Sequence, residues 1–244
     1  MAKRPVVAAT VADIIRETPR VSTFVLEFPP GTDFSFRSGQ FAMLSLPDFL
    51  NDKGRPVRRA YSIASSPPEL LDRRIAFTIT RKGEGGYFSN RIHEAHVGDP
   101  ALVEGPYGNS FVLDSLDPRP HLFLAAGSGI APLRSMIRTL LSGKTPPPIE
   151  LLYGFRDRED FIYADEMKEY EKAVPGFTLR VAHSRPSPGW SGHSGRVPEI
   201  LPRLYPSYQG QVVYICGHPE MVTSTYSWLK TAGFPDESIR KEQW

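Results

Sequence analysis

The sequence predicts two domains in series: an N-terminal antiparallel β-barrel and a C-terminal α/β domain built on a parallel sheet. Two observations lead there. Up to about residue 112, short alternating segments are separated by turn signals, which is the pattern of a small barrel. After Asp114-Ser115-Leu116-Asp117-Pro118, apolar runs alternate with amphipathic segments of helical length, which is the pattern of a parallel sheet covered by helices. The change divides the chain into residues 1–114 and 115–244.

In the first part, Val21 to Phe28 puts Phe24, Leu26 and Phe28 on one side and Thr23, Val25 and Glu27 on the other, as a half-buried strand does. Arg74 to Arg81 repeats this with Ile75, Phe77 and Ile79. Pro29-Pro30-Gly31, Ser38-Gly39, Gly54-Arg55-Pro56, Ser66-Pro67-Pro68 and Gly98-Asp99-Pro100 mark turns. Gly105-Pro106-Tyr107-Gly108 reads as a further tight turn. Only Tyr87 to Ala95, after Gly85-Gly86, reads as helical. In the second part, the strands His121–Ala126, Ile149–Phe155, Thr178–His183 and Val212–Cys216 are each followed by a helix: 133–141, 164–173, 198–204 and 220–232.

The totals exclude several classes. A net charge of +2 gives no basic footprint for nucleic acid or a polybasic membrane surface. Apolar runs such as Leu122 to Ala126 are too short to span a bilayer. Met1-Ala2-Lys3-Arg4-Pro5 is not followed by a signal-peptide core, so a cytoplasmic protein is expected. A single cysteine allows neither an intrachain disulfide nor a cluster held by four thiolates. His93 and His96 have no acidic partners at ligand spacing and read as surface residues, so no metal site is expected.

Arg59-Ala60-Tyr61-Ser62 puts a cation, an aromatic ring and a hydroxyl on one strand. These meet the three demands of a flavin nucleotide: a phosphate, a flat ring and a hydrogen-bonding edge. Arg59 is the candidate for the pyrophosphate, with Arg58 and Arg55 as rivals; Tyr61 would lie flat on the isoalloxazine and Ser62 would reach its edge. Gly85-Gly86 before a helix, with Ser89 in its first turn, offers backbone N–H groups and a hydroxyl to an anion. Thr78 and Thr80, on the preceding strand, are expected alongside the cofactor. Gly127-Ser128-Gly129-Ile130-Ala131-Pro132 follows a strand and opens a helix, as a dinucleotide-binding turn does, with proline at the third glycine's place. Cys216-Gly217 ends the last strand, where parallel sheets place ligands.

The ordered set of Arg59–Ser62, Gly85–Ser89, Gly105–Gly108, Gly127–Pro132, Cys216-Gly217 and the terminal Glu242-Gln243-Trp244 resembles the ferredoxin–NADP reductase family over nearly the whole chain. The resemblance implies that Gly85, Gly86, Phe88 and Ser89 hold the FAD pyrophosphate and that Ser128 touches both cofactors. It implies that Cys216 contacts the nicotinamide C4, that Trp244 stacks on the flavin opposite Tyr61, and that Glu242 acts near the proton path or orients the nicotinamide. Gly105–Gly108 would close the barrel.

A nicotinamide 2′-phosphate needs clustered cations or hydroxyls, and the sequence offers Arg156 just past the second parallel strand, Ser184-Arg185 just past the third, and Arg196 after Gly195. The arginine positions match NADPH-using members of the subclass this chain resembles. Asp157, Glu159 and Asp160 leave NAD open, since an acid there could hold a ribose diol. The leading expectation is a monomeric FAD-dependent NAD(P)H oxidoreductase that passes single electrons to a ferredoxin or flavodoxin. The rivals are a reductase component of an oxygenase or other redox complex, and an NAD(P)H flavin reductase.

Overall fold

The computed structural model describes residues 4–243, so Trp244 lies outside the described residues. Two compact units are present: residues through Leu113 together with Arg134–Thr139, and Asp114–Leu133 together with residues from Leu140 onward.

The first unit holds β1 (Val6–Thr18), β2 (Val21–Glu27), β3 (Phe41–Leu50), β4 (Pro56–Ser62), β5 (Arg74–Thr80), α1 (Tyr87–Ile92) and β6 (Pro100–Tyr107). The strands form an antiparallel sheet in the order β4-β3-β6-β1-β2-β5. Ile63, just past β4, makes an antiparallel bridge to Phe77 of β5, so the two ends of the sheet meet and the barrel closes. Alternation along the strands sends Phe24, Leu26, Leu44, Ile75, Phe77 and Ile79 inward, each at most 1% exposed. Phe88 and Ile92 of α1 join the same core, which fixes the short helix on the barrel.

One sequence expectation fails here. Gly105, Pro106 and Tyr107 lie inside β6 and do not form a turn. The β3–β6 register slips between Phe41↔Tyr107 and Met43↔Glu104. Pro106, which has no N–H to give a ladder, occupies the slip, one of the few places a strand accepts proline. Composition alone does not distinguish such an irregularity from a turn.

Beyond Leu113 the chain forms β7 (His121–Ala126), α2 (Ile130–Leu141, of which Arg134–Thr139 count with the first unit), β8 (Ile149–Phe155), α3 (Ala164–Ala173), β9 (Phe177–His183), β10 (His193–Ser194), α4 (Val197–Leu204), β11 (Val212–Gly217), α5 (Pro219–Thr231) and β12 (Ile239–Gln243). All strands are parallel, in the order β10-β9-β8-β7-β11-β12. The order reverses between β7 and β11, which makes that crevice the switch point of the sheet. α4 and α5 pack Leu201, Val222 and Leu229 onto Leu122, Leu124, Val213 and Ile215. No described helix is long and apolar enough to cross a membrane.

Phe77 is 0% exposed and sits at the barrel closure. Phe77→Ala should therefore cost about 3–5 kcal/mol of unfolding free energy, read as a lower denaturation midpoint. A loss below about 1 kcal/mol would show that the closure tolerates a cavity.

Candidate functional site

Strand alternation puts Arg59 and Tyr61 on one face of β4, opposite Leu44 and Ala42 of β3. Arg59 is exposed and donates from Nη1 to the Arg58 carbonyl at 2.8 Å. It has no carboxylate partner among the described residues. Its rival Arg58 is paired with Glu104, which is only 8% exposed and also accepts from the Tyr107 hydroxyl at 2.6 Å. Arg55 is exposed in a turn whose N–H donates to the Asn51 side chain. Of the three, Arg59 is best placed for an anion beside Tyr61.

Tyr61 is half-buried with its ring centroid 5.9 Å from that of Phe88. Burial raises its pKa to about 12, against the opposing charge of Arg59, so the phenol stays protonated. Ala60 is exposed, and Ser62 is 5% exposed at the end of the strand. The segment that follows is tied down: Ala64 N–H donates to Ala76 O at 2.8 Å, and Ala76 N–H to Ser65 Oγ at 3.0 Å. Arg134 Nη1 donates to the Ala64 carbonyl at 3.1 Å. Sequence reading missed Arg134. It is a cation between Leu133 and Ser135 and only 7% exposed, and such a charge needs a buried acceptor.

Thr78 is 5% exposed, and its hydroxyl lies 2.9 Å from that of Thr23 across β2–β5, so this candidate already serves strand pairing. Thr80 is half-buried at the strand end.

The Gly85–Ser89 segment differs in part from expectation. Gly86 N–H donates to Gly83 O at 3.1 Å and Tyr87 N–H to Gly85 O at 3.0 Å, so these two groups close turns and are not free. Ser89 Oγ donates to Gly86 O at 3.3 Å. Asn90, which sequence reading missed, braces the loop: it accepts from Gly83 N–H at 3.2 Å and donates to the Gly83 carbonyl. A side chain at Gly86 would meet Ser89 Oγ at 2.7 Å and Lys82 Cβ at 2.8 Å. Gly85 has φ +77° and open space where a Cβ would be. One glycine therefore packs the loop while the other leaves its outer side clear. Two grooves meet at Tyr87: one of about 360 Å³ beside Met43, Val57 and Arg59, and one of about 400 Å³ beside Gly85, Gly86 and Asn90. Both volumes suit small-molecule sites. An exposed guanidinium with no carboxylate partner among the described residues, an open glycine and a supported ring in one unit fit the flavin nucleotide expected here.

In the second unit, Gly127–Gly129 forms a single turn between β7 and α2, and Pro132 is buried in the first turn of that helix. A Cβ on Gly129 would lie 2.3 Å from the Cys216 carbonyl oxygen and 2.7 Å from Gly217 Cα. A Cβ on Gly217 would lie 3.2 Å from the Ala126 carbonyl oxygen. The two loops at the switch point therefore pack backbone against backbone. Gly127 has φ +55° and is open, and its carbonyl accepts from the Tyr153 hydroxyl at 3.1 Å. Ser128 between them is half-buried.

Cys216 is 0% exposed and pairs in register with Ala125 on one side and Glu242 on the other. Burial first, and the Glu242 charge second, push its pKa well above the usual thiol value, so it is a neutral thiol. Glu242 lies in β12, so the chain's end reaches Cys216 by strand pairing.

Arg156 is exposed just past β8, and Ser184-Arg185 follow β9. Ser184 N–H and Oγ both reach the Phe155 carbonyl, at 3.0 and 3.3 Å, which holds the two strand ends together. Arg196 follows β10 and lies 3.9 Å from Glu220 in an exposed pair. Asp160 accepts the Asp157 N–H at 3.3 Å. The histidine expectation needs correction: His93 is half-buried, with Nδ1 2.6 Å from the Ser89 carbonyl oxygen, because α1 lies against the barrel.

Gly129→Ala should disrupt the switch point, since the intruding methyl meets backbone atoms that cannot rotate away. We expect at least a tenfold loss of nicotinamide-nucleotide affinity by titration, with flavin content retained. Wild-type affinity would show that the contact relaxes freely.

Residues 8–111 match the model of an oxidoreductase FAD-binding domain, and residues 123–226 that of an oxidoreductase NAD-binding domain. The chain is 36% identical to ferredoxin–NADP reductase B of Sorangium cellulosum (strain So ce56) over 234 residues, covering 93% of each chain. It is 32% identical to the ferredoxin reductase component of 3-ketosteroid-9-alpha-monooxygenase of Mycolicibacterium smegmatis (strain ATCC 700084 / mc(2)155), over 95% of this chain and 64% of that protein. A ferredoxin NADP+ reductase of Neisseria gonorrhoeae, solved with bound FAD and NADP, shares the fold with a TM-score of 0.78 at 24% identity, covering 98% of both chains. Together with the closed barrel and the switch-point loops, these matches assign the chain to the ferredoxin–NADP reductase family, as a flavoprotein oxidoreductase with an FAD-binding domain and a nicotinamide-nucleotide-binding domain.

Proposed function

We propose that the protein oxidises NADPH and passes the electrons singly to a ferredoxin- or flavodoxin-type carrier, with residues 1–114 serving FAD and 115–244 serving the nicotinamide nucleotide. The observation that carries this reading is the backbone contact of Gly129 with Cys216-Gly217 at the switch point, which leaves a protonated thiol at the base of a strand-end platform. FAD supplies the conversion between a two-electron donor and one-electron acceptors. The chain supplies binding, orientation and exclusion of water.

In the first domain, Arg59 pairs with the flavin pyrophosphate, and Gly85, Gly86, Phe88 and Ser89 form the adjoining cradle. Tyr61 covers the ring as a neutral phenol, Ser62 meets the ring's edge, and Ala60, Thr78 and Thr80 shape the surroundings. In the second, Gly127, Gly129 and Pro132 receive the nicotinamide nucleotide's pyrophosphate and Ser128 borders both nucleotides. Cys216 and Gly217 align the nicotinamide without proton transfer, since a thiol held neutral is neither base nor nucleophile. Glu242, in register with Cys216, orients the same ring or acts near the proton path, while Trp244, expected to stack on the flavin, lies outside the described residues.

The choice of NADPH rests on Arg156, Ser184, Arg185 and Arg196 at the ends of neighbouring strands. Asp160 accepts the Asp157 N–H through one carboxylate oxygen, and its other oxygen leaves a ribose diol open. The Sorangium relative's name supports both NADP and ferredoxin. A second reading, the reductase component of an oxygenase, is favoured by the Mycolicibacterium relative, of which this chain spans 64%. Anaerobic mixing of the purified protein with NADPH and either ferredoxin or flavodoxin tests the carrier. If neither is reduced while a supplied oxygenase partner is, the second reading holds.

Arg185→Ala and Arg196→Ala should each raise KM for NADPH roughly tenfold or more, with little change for NADH, as expected for lost charge-assisted hydrogen bonds. Wild-type protein that uses NADH as efficiently as NADPH overturns the preference. Cys216→Ala should slow flavin reduction by NADPH roughly 10- to 100-fold through misalignment, with flavin content intact. Loss of flavin from that variant would assign the cysteine to packing instead.

A further inference from the structure

The segment from Arg185 to Arg196 joins two of the arginines assigned to the nucleotide, and nothing derived above explains what holds it in place. Its base is closed by the Gly195 N–H, which donates to the His183 carbonyl at 3.0 Å. Between Arg185 and Gly192 every residue is exposed except Trp190. Ser187-Pro188-Gly189-Trp190 forms a β-turn that delivers this side chain: the Trp190 N–H donates to the Ser187 carbonyl at 3.2 Å, and Gly189 takes φ +84° at the turn's third position. The indole meets Phe155 edge-on at 6.0 Å and His183 at 5.0 Å, centroid to centroid. Those two residues end β8 and β9 and are 6% and 2% exposed. Neither ring nitrogen of His183 has a hydrogen-bond partner among the described residues, so the imidazole serves as an aromatic wall beneath the indole. Trp190 Nε1 donates to the His193 carbonyl at 3.1 Å, which holds the start of β10 as well. Gly192 makes room for the ring: a Cβ there would lie 2.5 Å from Trp190 Cζ2. A loop with tied ends and its own side chain packed beneath it is a compact Ω-loop, placed as a unit.

We propose that Trp190 is a positioning residue for nucleotide choice. By seating its loop on Phe155 and His183 it holds Arg185 and Arg196 toward one phosphate, so the preference for NADPH depends on a side chain that acts through those arginines. The inference rests on the reading that Arg185 and Arg196 receive the 2′-phosphate. Their own partners do not fix them: Arg185 is exposed with no ion pair among the described residues, and the Arg196–Glu220 pair is exposed and 3.9 Å long. Their placement therefore comes from the backbone. A loop already seated pays less ordering entropy when it closes on an anion.

The test compares nucleotides with and without the 2′-phosphate on the purified FAD-loaded protein. It is read as Kd for NADP+ and NAD+ by calorimetric titration, and as KM and kcat for NADPH and NADH with an artificial one-electron acceptor. Trp190→Ala should weaken NADP+ binding and raise KM for NADPH about tenfold or more, the scale of one charge-assisted hydrogen bond. Its kcat and its constants for NAD+ and NADH should stay within about twofold of wild type. Trp190→Phe, which keeps a ring against Phe155 and His183, should hold the NADPH preference within about threefold. In an Arg185→Ala/Arg196→Ala background, Trp190→Ala should add no further loss, since residues acting through one contact are not additive. Equal losses for both nucleotides overturn the proposal, because they mark a direct contact with the shared part of the nucleotide or a general packing role. A phenylalanine variant as unselective as alanine overturns it too, as does a full further loss in the arginine-free background. The reading beneath fails separately: arginine variants that keep the wild-type preference remove the phosphate assignment and the positioning role together. If the arginine variants lose the preference while Trp190→Ala keeps it, only the positioning role falls.

Discussion

The nicotinamide half depends on a place where no side chain fits. Gly129 approaches the Cys216 carbonyl so closely that a methyl carbon would sit 2.3 Å from it, and Gly217 faces the Ala126 carbonyl from the other loop. Two strand ends, β7 and β11, can therefore lie side by side with their loops in contact, and α2 starts directly from that contact. A helix N-terminus at the switch point of a parallel sheet is where a dinucleotide finds unpaired N–H groups. The same packing buries Cys216 fully, and its protonated thiol follows from that burial. Glycine spacing, helix placement and thiol state are consequences of one steric constraint.

In the flavin half the deciding factor is strand alternation acting on neighbouring arginines. Arg58 and Arg59 are adjacent and chemically identical, but they project to opposite faces of β4. On one face Glu104 is buried and already accepts from Tyr107, so Arg58 completes a charge-paired network that would be costly to break. On the other, Arg59 has no carboxylate partner among the described residues and lies near enough to Tyr61 to oppose the rise in its pKa.

The two-domain architecture was legible because its signals are periodic: alternation in Val21–Phe28 and Arg74–Arg81, and the repeated strand–helix units after Pro118. What escaped was whatever long-range contact decides. β10 is two residues long and exists only because Ala182 and His183 offer it an edge. β12 reads as a polar tail, Ile239-Arg240-Lys241-Glu242-Gln243, and becomes a strand by pairing along β11. Gly105-Pro106 has the composition of a turn but sits at a register slip. At Gly85-Gly86 the packing departs from the expectation: Gly86 makes room for Ser89 and Lys82, and two of the N–H groups expected to meet an anion close turns. Arg134 braces the Ala64 carbonyl, a contact seventy residues away that nothing in its local sequence announces.

The same weighing of exposed against engaged groups bears on nucleotide choice. The Arg196–Glu220 pair is long and both partners are mostly exposed, so it is worth little and yields readily to a better anion. A 2′-phosphate, with about two charges and several acceptor oxygens, is such an anion. Asp160 accepts the Asp157 N–H through one carboxylate oxygen, at 3.3 Å, and its other oxygen leaves a ribose diol open. The cost of accommodating a phosphate there is one weak surface ion pair. Screening lowers the value of each arginine taken singly. A preference for the phosphorylated nucleotide would therefore depend on several donors converging on one group, and the adjacent ends of β8, β9 and β10 bring the candidates to neighbouring positions.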